Sequence, residues 1–97
     1  MNQERNVNFL MANLGSEVTR LINAKQKGDF KLLEDAKKRA LVIWTEIELK
    51  ENLKERKYEL KILREVIEDI SKEHSDLNLN YNNVKDYFLP FALRVIG

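Results

Sequence analysis

The sequence lacks cysteine altogether and contains one proline and three glycines among its 97 residues. Without cysteine there are no disulfides, no thiolate nucleophiles and no zinc or iron–sulfur sites built on cysteine, and a reducing compartment is favoured. Few residues interrupt a helix, and no alternating apolar pattern with turn dipeptides predicts strands. We therefore expect an all-α protein.

The sequence also lacks an excess of either positive or negative charge. Lysine and arginine together number 17 and aspartate and glutamate 16, so the formal net charge is +1. A nearly neutral chain has no global field that would draw it to nucleic acid or to anionic lipid. Binding of either kind must therefore come from a local patch.

Long apolar runs are absent as well. A membrane-spanning helix needs about 20 apolar residues, and the most apolar stretch, YFLPFALRVIG at 87–97, is shorter and contains Arg94. The start of the chain carries Glu4 and Arg5 and has no uninterrupted apolar core of the kind found in secretion signals. We expect no membrane association and a cytoplasmic protein.

Apolar residues recur at helical spacing along most of the chain. This periodicity predicts four helices packed as a small antiparallel, up-down bundle, in a single domain spanning residues 1–97. The first helix is expected to end near Lys27. Gly28 is the predicted C-cap of that helix, and Asp29 is the predicted N-cap of the second.

The middle of the chain allows two interpretations. The apolar stripe of the second helix reaches Ile47, and a stripe with a different phase begins with Leu49 and Leu53. This change of phase predicts a break near residues 48–52. Because no glycine or proline marks the break, one helix from about 30 to 73 is the alternative, although its length of roughly 65 Å is too great for a compact monomer.

The last helix follows a loop rich in Asn and Asp at 74–83, and we expect it to begin near Asn83 and to be kinked at Pro90. It is apolar on two sides. One stripe comprises Val84, Phe88, Phe91, Ala92 and Val95, and the second comprises Leu89, Leu93 and Ile96. The helix therefore either lies between two neighbours in its own bundle or packs on one neighbour and offers its second stripe to another chain.

Candidates for acid–base catalysis are few. His74 is the single histidine, and it lies at the edge of the polar loop, where a solvated side chain is the simplest interpretation. Helical di-iron sites use Glu-x-x-His pairs, and no carboxylate stands three residues before His74. The sequence predicts no cofactor.

A weak metal-site candidate is formed by Glu65, Glu68 and Asp69, whose spacing of i, i+3, i+4 could place oxygen ligands around Mg²⁺. Similar Glu-x-x-Glu patterns occur in helical nucleotide pyrophosphatases, which this segment resembles in passing. Lys61 and Lys72 lie one turn away on either side, so a solvated face of ion pairs is the preferred interpretation. A metal-dependent nucleotide-processing enzyme is therefore the third hypothesis for function.

The third helix carries a basic ridge about 21 Å long if all of it is helical. The ridge consists of Lys50, Lys54, Lys57, Lys61 and Arg64. Glutamates lie together on a different side of the same segment. Such a ridge could contact successive phosphates of RNA or DNA, and the split charge would also suit self-association, in which flanks of opposite sign meet. The third possibility is that both flanks are hydrated edges of a monomer.

Three stretches of the chain resemble segments of small, uncharacterised bacterial all-α proteins. The stretches are ANLGSEV at 12–18, LREV at 63–66 and YFLPFAL at 87–93. The resemblance spans most of the chain and implies no known activity. It marks four polar positions for testing, which are Asn13, Glu17, Arg64 and Glu65.

The expected architecture also resembles that of HEPN ribonucleases, which are small helical bundles often paired with a partner. Their catalytic motif is an arginine followed four to six residues later by a histidine. Here Arg64 and His74 are too far apart for that motif. The resemblance therefore implies a likeness of architecture and no ribonuclease activity.

The sequence favours a protein-interaction or structural module that is not an enzyme. We expect a homodimer or the small subunit of an assembly with a protein partner, and nucleic-acid binding through the basic ridge is the alternative. The predicted interface comprises Leu89, Leu93 and Ile96 on the last helix and Tyr58, Ile62 and Val66 on the third.

Overall fold

The protein is an all-α, four-helix bundle, as the sequence predicted. The computed structural model describes residues 6–50 and 56–96, with side chains as far as residue 94. The four helices are α1 (Val7–Lys27), α2 (Phe30–Lys50), α3 (Lys57–Ser71) and α4 (Tyr81–Ile96). None of the helices in these ranges has both the length and the apolar character needed to cross a membrane.

The turn between α1 and α2 confirms both predicted caps. Gly28 has a left-handed backbone with φ of 72°, a conformation that glycine adopts without steric cost. Its amide donates to the Lys25 carbonyl at 3.2 Å. Asp29 Oδ1 accepts a hydrogen bond from the Leu32 amide at 3.0 Å, so the carboxylate caps the first turn of α2.

Helices α2 and α3 are separate and pack against each other, so the chain changes direction between Lys50 and Lys57. Residues 48–50 of the predicted break still belong to α2, and the rest of it lies outside the described residues. The alternative of one continuous helix from 30 to 73 is therefore wrong. Leu49 belongs to the end of α2 and is 80% exposed, so it does not begin the apolar stripe of α3 as the sequence suggested. Leu53, the other expected start of that stripe, lies outside the described residues.

The start of α4 differs from the prediction. Asn80 rather than Asn83 is the cap, and its Oδ1 accepts a hydrogen bond from the Asn83 amide at 3.1 Å. The helix consequently begins at Tyr81, two residues earlier than expected. It continues through Pro90 as far as Ile96, so the predicted kink is not confirmed.

Helix α1 is the centre of the bundle. Both α2 and α4 pack against it, and α3 packs against α2 and α1. The contact between α1 and α4 is very close at Gly15, where an added Cβ would lie 2.6 Å from the Cβ of Phe88. Fully buried side chains of α1 fill the space between the helices, and these are Leu10, Leu14, Leu21 and Ile22. Helix α4 therefore lies beside α1, and a groove separates it from α3.

Candidate functional site

A shallow apolar groove separates α3 from α4. In the described part of the chain these two helices do not pack closely on each other, because α4 packs against α1. The groove has a volume of about 400 Å³ and is lined by Tyr58, Glu59, Ile62, Leu63 and Tyr87. Its lining is mainly apolar, with the Glu59 carboxylate as the charged group.

The exposed apolar residues of α3 continue beyond this groove. Tyr58 is 72% exposed and Ile62 is 41% exposed, while Val66 is half-buried and packs against the core. The three lie at successive i, i+4 positions and therefore on one side of the helix. We call this surface, together with Tyr87 of α4, the α3 face.

The opposite side of α3 is firmly attached to the bundle. Leu60, Leu63 and Ile67 are buried in the core. The indole of Trp44 donates a buried hydrogen bond to the Leu60 carbonyl at 2.7 Å, which joins α2 to the first turn of α3. The α3 face is thus presented by a helix whose position is fixed by packing and by a satisfied polar contact.

Tyr87 is fixed at the edge of the α3 face by contacts on both sides. Its hydroxyl donates to the Glu59 carboxylate, which also lies 3.8 Å from the Arg56 guanidinium. Its ring meets the Phe88 ring edge-on, with the centroids 5.0 Å apart. This role of Tyr87 could not be predicted from the sequence, because its pairing with Glu59 depends on how α3 and α4 are placed relative to each other.

The predicted interface residues do not form one surface. Leu89 and Leu93 are 53% and 59% exposed, so the bundle does not cover these two residues of the second stripe of α4. At about 100° per residue, Leu89 and Tyr87 project to opposite sides of the buried Phe88. Because Tyr87 faces α3, Leu89 and Leu93 lie on the far side of α4 from the α3 face. The side chain of Ile96 lies outside those described.

The predicted basic ridge is not continuous. Lys50 is the last residue of α2, whereas Lys57, Lys61 and Arg64 belong to α3, and Lys54 lies outside the described residues. The sequence pattern assumed one helical register from Lys50 to Arg64, whereas α2 and α3 are two helices that pack against each other. The Arg64 guanidinium is also engaged within the chain, with Glu68 at 3.4 Å and the centroid of the Trp44 ring at 5.0 Å. The hypothesis of a 21 Å row of phosphate contacts therefore loses its geometric basis.

The three carboxylates proposed as metal ligands have separate surroundings. Glu65 is exposed, and Glu68 pairs with Arg64. Asp69 is 2% exposed, and its Oδ1 accepts hydrogen bonds from the amides of Asp76 at 2.7 Å and Leu77 at 3.2 Å. No group of three or more histidine, cysteine or acidic side chains within 6–50 and 56–94 is arranged to hold a metal ion.

The ion pairs expected around these carboxylates are also different. Lys72 pairs with Asp76 at 2.7 Å rather than with Glu68. This hydrogen bond raises the pKa of Lys72 and lowers the pKa of Asp76. Asp69, expected on a solvated face, instead organises the connection between α3 and α4. The interpretation of His74 as a solvated side chain is confirmed, because that side chain is 93% exposed.

Glu17 is a second buried carboxylate, and its role was not evident from the sequence. It accepts hydrogen bonds from Arg20 at 2.8 Å and from Arg39 at 2.9 Å. The second contact joins α1 to α2. Both arginines are about half exposed, so the arrangement is an interhelical ion pair at the edge of the core.

Comparison with known proteins returns no match, whether the chain is compared with family models, with curated proteins or with solved structures. The hypotheses for function therefore depend on the geometry of the chain alone.

Proposed function

We propose that the protein works through protein contacts and that it forms a homodimer through the α3 face. The observation that supports this proposal is the grouping of Tyr58, Ile62 and Tyr87 around one open groove. Their exposed fractions are 72%, 41% and 37%. Tyrosine is enriched among the residues that dominate binding energy at protein interfaces, because it offers a large apolar surface with a polar tip.

A second copy of the chain suits this surface because of its charge. Charged residues of both signs lie beside the apolar patch on α3, among them Lys61, Glu59 and Glu65. A patch that carries both signs can meet itself with opposite charges paired, as a two-fold interface requires. The net charge of +1 adds almost no long-range repulsion between copies.

The exposed area predicts a modest affinity. With about 200 Å² for a fully exposed large side chain, the three residues offer roughly 300 Å² of apolar surface. A stable interface buries about 800 Å² on each partner. The polar rim of α3 and the neighbouring part of α4 must supply the rest. We therefore expect a dimer that dissociates on dilution.

The test is the absolute mass measured by light scattering during size exclusion over a range of concentrations. The proposal predicts a mass that rises with concentration from 11.5 kDa towards twice that value. Ile62→Glu should keep the mass at one chain at all concentrations while the helical circular dichroism stays unchanged. A chain that remains monomeric at the highest attainable concentration would contradict the proposal.

Two control variants make the result specific. Val42→Glu changes a residue of α2 that is 67% exposed and lines a separate groove with Glu17 and Arg39, and it should leave the dimer intact. Leu93→Asp changes the exposed stripe on the far side of α4. If Leu93→Asp dissociates the dimer and Ile62→Glu does not, the interface lies on α4 and the α3 face is the wrong surface.

A further inference from the structure

We infer that the two copies pair with their α3 helices antiparallel, about a two-fold axis near Ile62, so that Lys61 of each copy meets Glu65 of the other. This inference rests on the proposed homodimer. It adds the orientation and the polar contacts that specify it.

The two residues that carry the inference are available for such a contact. Lys61 and Glu65 are both exposed and lie one turn apart on the same flank of α3. Neither takes part in an ion pair within the described part of the chain. Arg64 and Glu68 of this helix already contact each other, and Glu59 lies beside Arg56, the residue before the helix.

The spacing of the α3 face matches an antiparallel pair. With the axis at Ile62, Tyr58 of one copy faces Val66 of the other, since each is four residues from the centre. A two-fold axis perpendicular to the helices also brings the same flank of each copy together. Lys61 of one copy and Glu65 of the other then differ in height along the helix axis by two residues, or about 3 Å. Their side chains are long enough to span that distance.

A parallel pair would use the charges less well. It would bring the flank of Lys61 and Glu65 against the opposite flank of the second copy, which carries Glu59. That carboxylate already accepts from Tyr87 and lies beside Arg56. Lys61 would then lie within two residues of that already engaged carboxylate, whereas Glu65, six residues or about 9 Å along the axis from it, would have no cation of α3 opposite it. The antiparallel arrangement gives both free charges a partner of opposite sign.

The test uses two variants that are mixed. Lys61→Glu alone places Glu opposite Glu65 at both symmetry-related positions, and Glu65→Lys alone places Lys opposite Lys61. Each variant alone should dimerise about tenfold more weakly than the parent chain or worse, because two ion pairs become two repulsions. An equimolar mixture should form a heterodimer of near-parental affinity, since every cross-chain pair then has opposite charges.

The mixture separates this inference from helix stabilisation within one chain. Lys61 and Glu65 are also i, i+4 neighbours, and mixing cannot restore a contact inside a single helix. A tagged version of one variant, followed by native mass spectrometry and light scattering, measures the heterodimer directly. If the parent chain dimerises but the mixture stays as weak as each variant alone, the antiparallel register is wrong and the homodimer stands. If the parent chain is monomeric, the proposed function fails as well.

Discussion

The Gly15→Ala variant should destabilise the protein, although alanine is the better helix former. Gly15 lies in the middle of α1, where glycine costs roughly 1 kcal/mol relative to alanine. An added methyl group would lie 2.6 Å from the Cβ and 2.8 Å from the Cγ of Phe88. The Cβ of Phe88 is attached directly to the backbone, so no side-chain rotation relieves the contact. Helix α4 must move away from α1 by about 1 Å.

The size of the effect follows from these opposing contributions. Overpacking a closely packed core costs typically 1–3 kcal/mol, and the gain in helix propensity of roughly 1 kcal/mol offsets part of it. The difference is about 0–2 kcal/mol, and we expect the upper half of that range, about 1–2 kcal/mol, because the contact at 2.6 Å is with a Cβ that cannot rotate away. For a domain of this size, such a loss lowers the Tm by about 5–10 °C.

Urea and thermal unfolding followed by circular dichroism would measure this loss. Ser16→Ala is the matched control, because Ser16 is exposed on the same helix and the substitution changes propensity without adding a contact. The control should be neutral or slightly stabilising. A Gly15→Ala variant as stable as the parent chain, or more stable, would refute the argument that glycine is needed for the close approach of α1 and α4.

Further variants test the polar contacts of the bundle. Asp69→Ala should cost about 2–3 kcal/mol of unfolding free energy, because it leaves two amides without an acceptor. Asp69→Asn retains Oδ1 and should cost less. Equal losses of stability in the two variants would contradict this role of Oδ1. Trp44→Phe should cost about 1–2 kcal/mol in urea unfolding by removing the hydrogen bond to the Leu60 carbonyl. The pKa of Asp76 is lowered by Lys72, so this pair contributes stability above the ordinary pKa of 3.8 and loses it as the pH falls further. Asp76→Asn should remove that part of the acid dependence in a pH series of Tm values, and an unchanged series would count against the contact.

Local signals explain which parts of the fold could be predicted. Gly28 and Asp29 act through their own backbone and neighbouring amides, so the end of α1 and the start of α2 follow directly from the sequence. The start of α4 was predicted two residues too late, because several asparagines in the preceding loop have the same capping chemistry. Asn80 is the residue whose position lets Tyr81 and Val84 reach the core.

The predictions that failed depend on tertiary placement. The hypothesis of a basic ridge assumed that one helix runs from Lys50 to Lys57 and beyond, but α2 and α3 are separate helices that pack against each other. Asp69 has the sequence environment of a surface carboxylate, yet the chain folds back so that two amides reach its Oδ1. Residues within one helical turn indicate neither the separation of the ridge residues nor the burial of Asp69. Both features determine which charged side chains are available for contacts with another molecule.

The opening at the α3 face follows from the way α4 is held. Phe88 sets the position of α4 by lying directly against Gly15 of α1. The residue before it, Tyr87, is thereby turned towards α3, where its hydroxyl reaches Glu59 without bringing the two helices into close packing. The residue after it, Leu89, is turned away from α3. The contact that closes the core between α1 and α4 therefore also leaves Tyr58 and Ile62 uncovered, and a side chain at position 15 that displaced α4 would alter the α3 face as well as the stability of the fold.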